Sequence, residues 1–92
     1  MDLEFEWNDS KAEANLEKHG IDFEDAIGVF EGPVLEVRSD QKGEIRWKAI
    51  GLLEGLEITV VYTLREGRRR IISARRAQQN ERRAYNQARP GR

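Results

Sequence analysis

The sequence predicts an α+β fold: an antiparallel β-sheet meander with two N-terminal helices and one C-terminal helix, in the order β-α-α-β-β-β-β-α. Three observations carry this expectation. Apolar and polar residues alternate through the middle of the chain, as strands require. Glu54-Gly55 and Glu66-Gly67 are two-residue turns that join such runs into hairpins. Helical spacing with cap residues frames both ends. Hairpins between successive strands imply an antiparallel sheet. The helices are expected together on one face, where the apolar set lies. The 92 residues make one domain over 1–92, with 88–92 as a loose tail. A chain of this size buries roughly 60–65% of the surface its unfolded form exposes, enough for one small core.

Each element has its own signal. Leu3-Glu4-Phe5-Glu6-Trp7 alternates apolar and acidic residues, a short strand with one wet face. Asn8 offers a helix N-cap, and residues 9–19 follow as a helix. Lys18, His19 and Gly20 form its end, Gly20 suiting the left-handed closing position. Asp22 is the next N-cap. Phe23, Ala26, Ile27 and Phe30 then form an apolar stripe at helical spacing, stopped by Gly32-Pro33. Residues 34–38 read as a short strand and 40–43 as a turn. From 44 to 53 a strand begins with Ile45, Trp47 and Ala49 on one face and Glu44, Arg46 and Lys48 on the other. Leu56, Ile58, Val60, Tyr62 and Leu64 line one side of the next strand, with Thr59, Thr63 and Arg65 on the other. The last strand is expected over 70–74 and the last helix from 76 to about 88. With Tyr85 as its one large side chain, that helix is expected to dock loosely.

Composition narrows the function classes. The formal net charge of −1 conceals a dipolar chain. Residues 65–92 carry ten Arg against Glu66 and Glu81, a net of +8; residues 1–64 carry six basic against fifteen acidic residues, a net of −9. The basic end is all Arg, whose planar donor fork matches phosphate oxygens two at a time. There is no cysteine, so no disulfide or thiolate metal site, and the single His19 rules out a multi-histidine metal site. No apolar stretch approaches the ~20 residues of a membrane span. The acidic start is wrong for a secretory leader, and a cytoplasmic location is expected.

The strand alternation gathers Glu44, Arg46 and Lys48 beside Thr59, Thr63 and Arg65, with Arg75 and Arg76 leaving the last strand nearby. A face with several cations, one carboxylate and hydroxyls suits an RNA phosphodiester. Cleavage beside a 2′-hydroxyl needs a base for its proton, cations for the charge that grows on phosphorus and an acid for the departing oxygen. Glu44 or His19 serves as the base, His19 being the better match to neutral pH. Arg46, Arg75 and Arg76 hold the phosphate, and Lys18 or Tyr62 shuttles a proton. No metal or cofactor is required. The ordinary readings stand beside these: Glu44 and Arg46 as a solvated pair, His19 as a C-cap cation, Tyr62 as core, Arg68-Arg69-Arg70 as a solvated basic edge.

Three blocks of residues in order resemble a known family. They are Trp7-Asn8, Lys11, Asn15, Lys18-His19-Gly20-Ile21, Phe23, Ala26 and Phe30; then Glu44-Ile45-Arg46-Trp47 with Ile50-Gly51; then Val60-Val61-Tyr62-Thr63, Arg70-Ile71-Ile72-Ser73-Ala74-Arg75-Arg76-Ala77, Glu81-Arg82-Arg83 and Tyr85. Together they resemble the BrnT toxins. The resemblance implies a RelE-like fold and an RNA-cleaving toxin of a type II toxin–antitoxin pair that halts translation. It implies a BrnA-like ribbon-helix-helix antitoxin as partner, DNA reached only indirectly through that antitoxin, and the possibility of a higher-order complex. By matching positions, Lys18, His19, Glu44, Arg46, Arg75 and Arg76 become the catalytic set, with Lys11, Arg65 and Tyr85 as outer RNA contacts. Lys48, on the polar face beside Arg46, joins those contacts. Two departures stand out. Gln78 replaces the family's frequent Ser or Thr and weakens the helix start, and the loop 39–43 is short. The alternative from another class is a non-catalytic nucleic-acid-binding or antitoxin-binding module. The wet face lacks the exposed aromatics that single-strand platforms use for stacking, which counts against the nucleic-acid form of that alternative.

Overall fold

The computed structural model describes residues 4–89; the expected strand start at Leu3 and the end of the tail at 90–92 lie outside the described residues. The elements are β1 (Glu4–Glu6), α1 (Asp9–His19), α2 (Phe23–Ala26) running into a 3-10 turn (Ile27–Glu31), β2 (Leu35–Arg38), β3 (Trp47–Leu53), β4 (Leu56–Arg65), β5 (Arg68–Arg76) and α3 (Gln79–Ala88). None of these helices is long and apolar enough to cross a membrane. Local chemistry sets most boundaries. Asn8 Oδ1 accepts from the Lys11 amide at 3.1 Å and Asp22 Oδ1 from the Glu24 amide at 3.1 Å, each capping a helix start. Lys42-Gly43, Glu54-Gly55 and Glu66-Gly67 all take φ between 51° and 82°. Two consecutive positive φ values are what a type I′ hairpin requires.

The five strands form one sheet in the order β1-β5-β4-β3-β2. Strands β2 to β5 are the expected antiparallel meander, but β1 pairs parallel with β5, so the sheet is mixed. The long helical crossover carries the chain from one sheet edge to the other without a hairpin's constraint. Charge then favours the parallel register. Glu4 and Glu6 lie opposite Arg68 and Arg70, with Arg70 Nη1 donating to Glu6 Oε2 at 2.8 Å and Arg68 Nε 3.3 Å from Glu4. The basic run 68–70 is therefore paired within the fold, not left as a solvated edge.

The helices divide between the two faces, contrary to the single covered face expected. The main core joins Phe23, Ala26 and Val29 to Ala49, Ile58, Val60, Tyr62, Ile71 and Ala74. A second core joins Ile50, Ala77 and Tyr85, with Leu35 and Leu52 packed on it. Ala49 and Ile50 are neighbours on β3, so they face opposite sides. Beyond Lys48 the strand is apolar on both sides, and α3 covers the second. On the first side Gly51 admits the 3-10 turn closely: a Cβ there would lie 3.0 Å from Val29 Cβ and Val34 Cγ1.

Strand β3 starts later than expected, at Trp47. Ile45 is 51% exposed and lies outside the core face; its carbonyl accepts from Thr63 Oγ1 at 2.7 Å. Strand β5 is longer than expected at both ends, and its register against β4 slips between Val61 and Tyr62. Val61 faces Ser73 while Tyr62 faces Ile71, which leaves Ile72 as the extra residue of a β-bulge.

Candidate functional site

The part of the second face that α3 leaves uncovered holds a concavity of about 290 Å³. Its lining comes from the 39–46 segment (Ser39, Gln41, Arg46), β3 (Lys48), β4 (Val61) and β5 (Ile72, Ser73, Arg75). A shallower depression of about 260 Å³ adjoins it, lined by Lys11, Asn15, Lys18 and His19 of α1 and again by Ile72 and Ser73. The two meet at the bulge. Asn15 holds them in register. Its Nδ2 donates to the Ala74 carbonyl at 2.9 Å and to the Ile21 carbonyl at 3.0 Å, while its Oδ1 accepts from the Ala74 amide at 3.1 Å. This buried amide satisfies the edge of β5 beyond the end of β1 and fixes α1 beside it.

The cations of the larger concavity are held by the chain's own acceptors. Arg46 Nε donates to Glu44 Oε1 at 2.7 Å and its Nη1 to Gln41 Oε1 at 2.6 Å. Arg75 makes two parallel bonds to Glu81, at 2.8 and 2.9 Å. Lys48 Nζ lies 3.2 Å from the same carboxylate. Glu81 also accepts from Thr59 Oγ1 at 3.0 Å and from the Gln78 amide at 2.7 Å. Burial pushes the Glu81 pKa up, but Arg75, the Gln78 amide, Lys48 and Thr59 outweigh it and bring it down to about 2. The same contact raises the pKa of Arg75. Three cations thus face the concavity against two carboxylates, Glu44 and Glu81, leaving one unit of positive charge.

The structure brings some of the candidate residues together and separates others. Arg46, Lys48 and Arg75 share the concavity, and Lys11, Lys18 and His19 share the adjoining depression. Glu44 stands in the turn, bound to Arg46. Arg76 does not join Arg75. The strand continues through both, so they alternate, and Arg76 lies opposite Ile58 in a separate depression of the first face. Arg65 ends β4 opposite Arg68, away from both depressions. Tyr85 is 2% exposed and donates to the Pro33 carbonyl at 3.2 Å, so it packs α3 and presents no surface to RNA. Tyr62 lies in the main core and donates to Glu36; burial, then that carboxylate, pushes its pKa up to about 12, which removes it from proton shuttling near neutrality. Thr59, expected on a wet face, is fully buried beneath α3.

Sequence reasoning missed the central carboxylate. Glu81 entered only in the charge count and as part of a resemblance, and Gln78 as a weakness. The spacing Gln78-x-x-Glu81 is the local signal, because a Glu at the third helical position bonds back to the cap amide. The helix start is therefore held by a bond to that amide. Among the described residues no group of three or more His, Cys, Asp or Glu is gathered to hold a metal ion.

Fold and concavity together define a small α+β protein with a cationic recess on one face of a mixed sheet. The chain belongs to the BrnT family, ribonuclease toxins of type II toxin–antitoxin systems, whose family model matches residues 7–81. It is similar to the crystal structure of the Brucella abortus ribonuclease toxin BrnT, with 28% identity and a TM-score of 0.65 over 85% of this chain and 100% of that one. No curated protein matches it.

Proposed function

We propose that this chain is a single-domain endoribonuclease that cleaves RNA by metal-independent chemistry, acts in the bacterial cytoplasm to halt translation, and is silenced by a BrnA-like antitoxin. The observation that carries the reading is the convergence of Arg46, Lys48 and Arg75 on one open recess, with Lys18 and His19 beside it across Ile72. Membership of a ribonuclease toxin family supports it. The net positive charge of the recess offsets one phosphate, and its N–H donors face the extra charge that develops as phosphorus becomes five-coordinate. The 2′-oxygen attacks phosphorus, its proton passing to His19. The bond to the 5′-oxygen breaks, and that oxygen takes a proton from Lys18 or water. The products are a 2′,3′-cyclic phosphate and a free 5′-hydroxyl, so the step needs no co-reactant.

The test is induction of the chain alone in a bacterium, following growth and labelled transcripts beside an Arg75→Ala variant. Growth arrest with cleaved transcripts, both lost in the variant, is expected. Arrest that persists in full with Arg75→Ala refutes the assignment. Binding to RNA is expected to weaken with salt at a log–log slope of about −0.7, for the one phosphate that the recess neutralises.

The pairing of Arg46 with Glu44 and of Arg75 with Glu81 favours a second reading, a surface that binds an acidic antitoxin segment without RNA chemistry. Purified chain that binds its antitoxin but leaves RNA intact is its signature.

A further inference from the structure

Glu81 is 4% exposed, and all its acceptor positions are directed inward. Its partners come from three adjacent strands: Lys48 on β3, Thr59 on β4 and Arg75 on β5. Such a carboxylate has no free lone pair for a substrate proton, and its charge repels a phosphate. Its effect on chemistry runs through the groups it holds. Arg75 and Lys48 repel each other and stay close because one negative charge lies between them. Stability alone does not call for this arrangement. The same helix is already docked by Ile50, Ala77 and Tyr85, and a buried ion pair is often no better for stability than apolar packing.

We infer that Glu81 is a positioning residue: from the first turn of α3 it sets Arg75 and Lys48 at the spacing that one scissile phosphate in the recess requires. Docking of the C-terminal helix is then part of assembling the anion site. The inference rests on the nuclease reading above and adds to it a residue that touches no substrate.

The test separates binding from cleavage. Glu81→Gln removes the charge at nearly the same shape. Its single-turnover cleavage of a short unstructured RNA is measured at saturating protein, and its equilibrium binding with the 2′-O-methyl form of that RNA. Cleavage per folded molecule is expected to fall by up to about 100-fold, the cost of an ångström-scale misplacement. Binding is expected to hold, or to tighten by about threefold, because the variant is one unit more positive. Glu81→Asp, with its charge kept and its reach shortened, is expected to recover part of the rate. A merely structural role predicts a different pattern, binding and cleavage falling together with the folded fraction, and that result overturns the inference. Undiminished cleavage by Glu81→Gln does the same. If Glu81→Gln does not fold, Thr59→Val removes a single bond to the carboxylate. Cleavage is then expected to slow roughly threefold with binding unchanged, in line with one hydrogen bond, and an unchanged rate overturns the inference. Arg75→Ala keeps the two readings apart. If it is inactive while Glu81→Gln is fully active, only the positioning role falls; if it cleaves like the wild type, both fall.

Discussion

Strand β5 carries two guanidinium clusters, one on each face, and they differ in what lies over them. On the face covered by α1 and α2, Arg69 stands 4.4 Å from the Phe30 ring centroid, 5.4 Å from Tyr62 and 5.8 Å from Phe5, with Glu36 at 3.8 Å. Its Nε finds no acceptor among the described residues. On the other face Arg75 is gripped by Glu81 and lines an open recess. Their side-chain exposures are nearly equal, 19% and 21%. Exposure therefore does not separate them. Aromatic rings spend the face of one guanidinium on packing, whereas a carboxylate orients the other and leaves its outer side to the recess.

The contrast can be broken most directly through activity. Arg75→Ala is expected to lower single-turnover RNA cleavage by about 100-fold or more, the usual cost of losing one donor to a developing charge. Arg69→Ala is expected to change cleavage per folded molecule by less than about threefold. A reversed order would move the chemistry to the helix-covered face. Arg69 is expected to matter to stability instead. Its loss removes three ring contacts and the ion pair with Glu36, lowering unfolding free energy by about 2 kcal/mol in urea titration.

Acid and alkali are expected to attack the two faces separately. Glu81 falls from 4.5 to about 2 in the fold, so its contribution is complete above about pH 4.5 and drains away as pH falls toward 2. Tyr62 rises from 10.0 to about 12, so its contribution is complete below pH 10 and is lost as pH rises toward 12. Each limb is worth on the order of 3 kcal/mol. Glu81→Gln is expected to flatten only the acid limb of a stability–pH curve, and Tyr62→Phe only the alkaline one. Any crossover between the limbs would mean that the clusters communicate through β5. The smallest effect is expected from Gly51→Ala. The added methyl crowds Val29 and Val34 on the helix-covered face, costing about 1–2 kcal/mol of stability with cleavage per folded molecule unchanged.

What the sequence made legible was local. Asn8, Asp22 and the three glycine turns act through bonds within a few residues, so the first two helix starts and the hairpins were readable, whereas the last helix, expected from 76, begins at Gln79 because β5 continues through Arg76. The α+β class and the polar set Arg46 and Lys48 followed from alternation. The placement of β1 beside β5 depends on Glu4 and Glu6 meeting Arg68 and Arg70, which no local pattern reveals. The second core was hinted at by Ile50 and Leu52 breaking the alternation of β3, a signal readable only with α3 in view. Arg75 and Arg76 were read as neighbours past a strand end, when they are alternating residues within it. Glu81 gains its importance only when three strands converge on it, and a linear pattern shows only its bond to the cap.

The additional residue at Ile72 works as a change of parity. Before it, the even positions 68 and 70 of β5 look toward the side bearing the recess; after it, the odd positions 73 and 75 do. Were the ladder to run regularly through Ile72, Arg75 would fall opposite Ile58, out of reach of Glu81, and the next guanidinium would take its place. Counting strict alternation from Arg68 would therefore assign the recess to the wrong member of the Arg75-Arg76 pair. The irregularity in the ladder is the landmark from which positions are best counted.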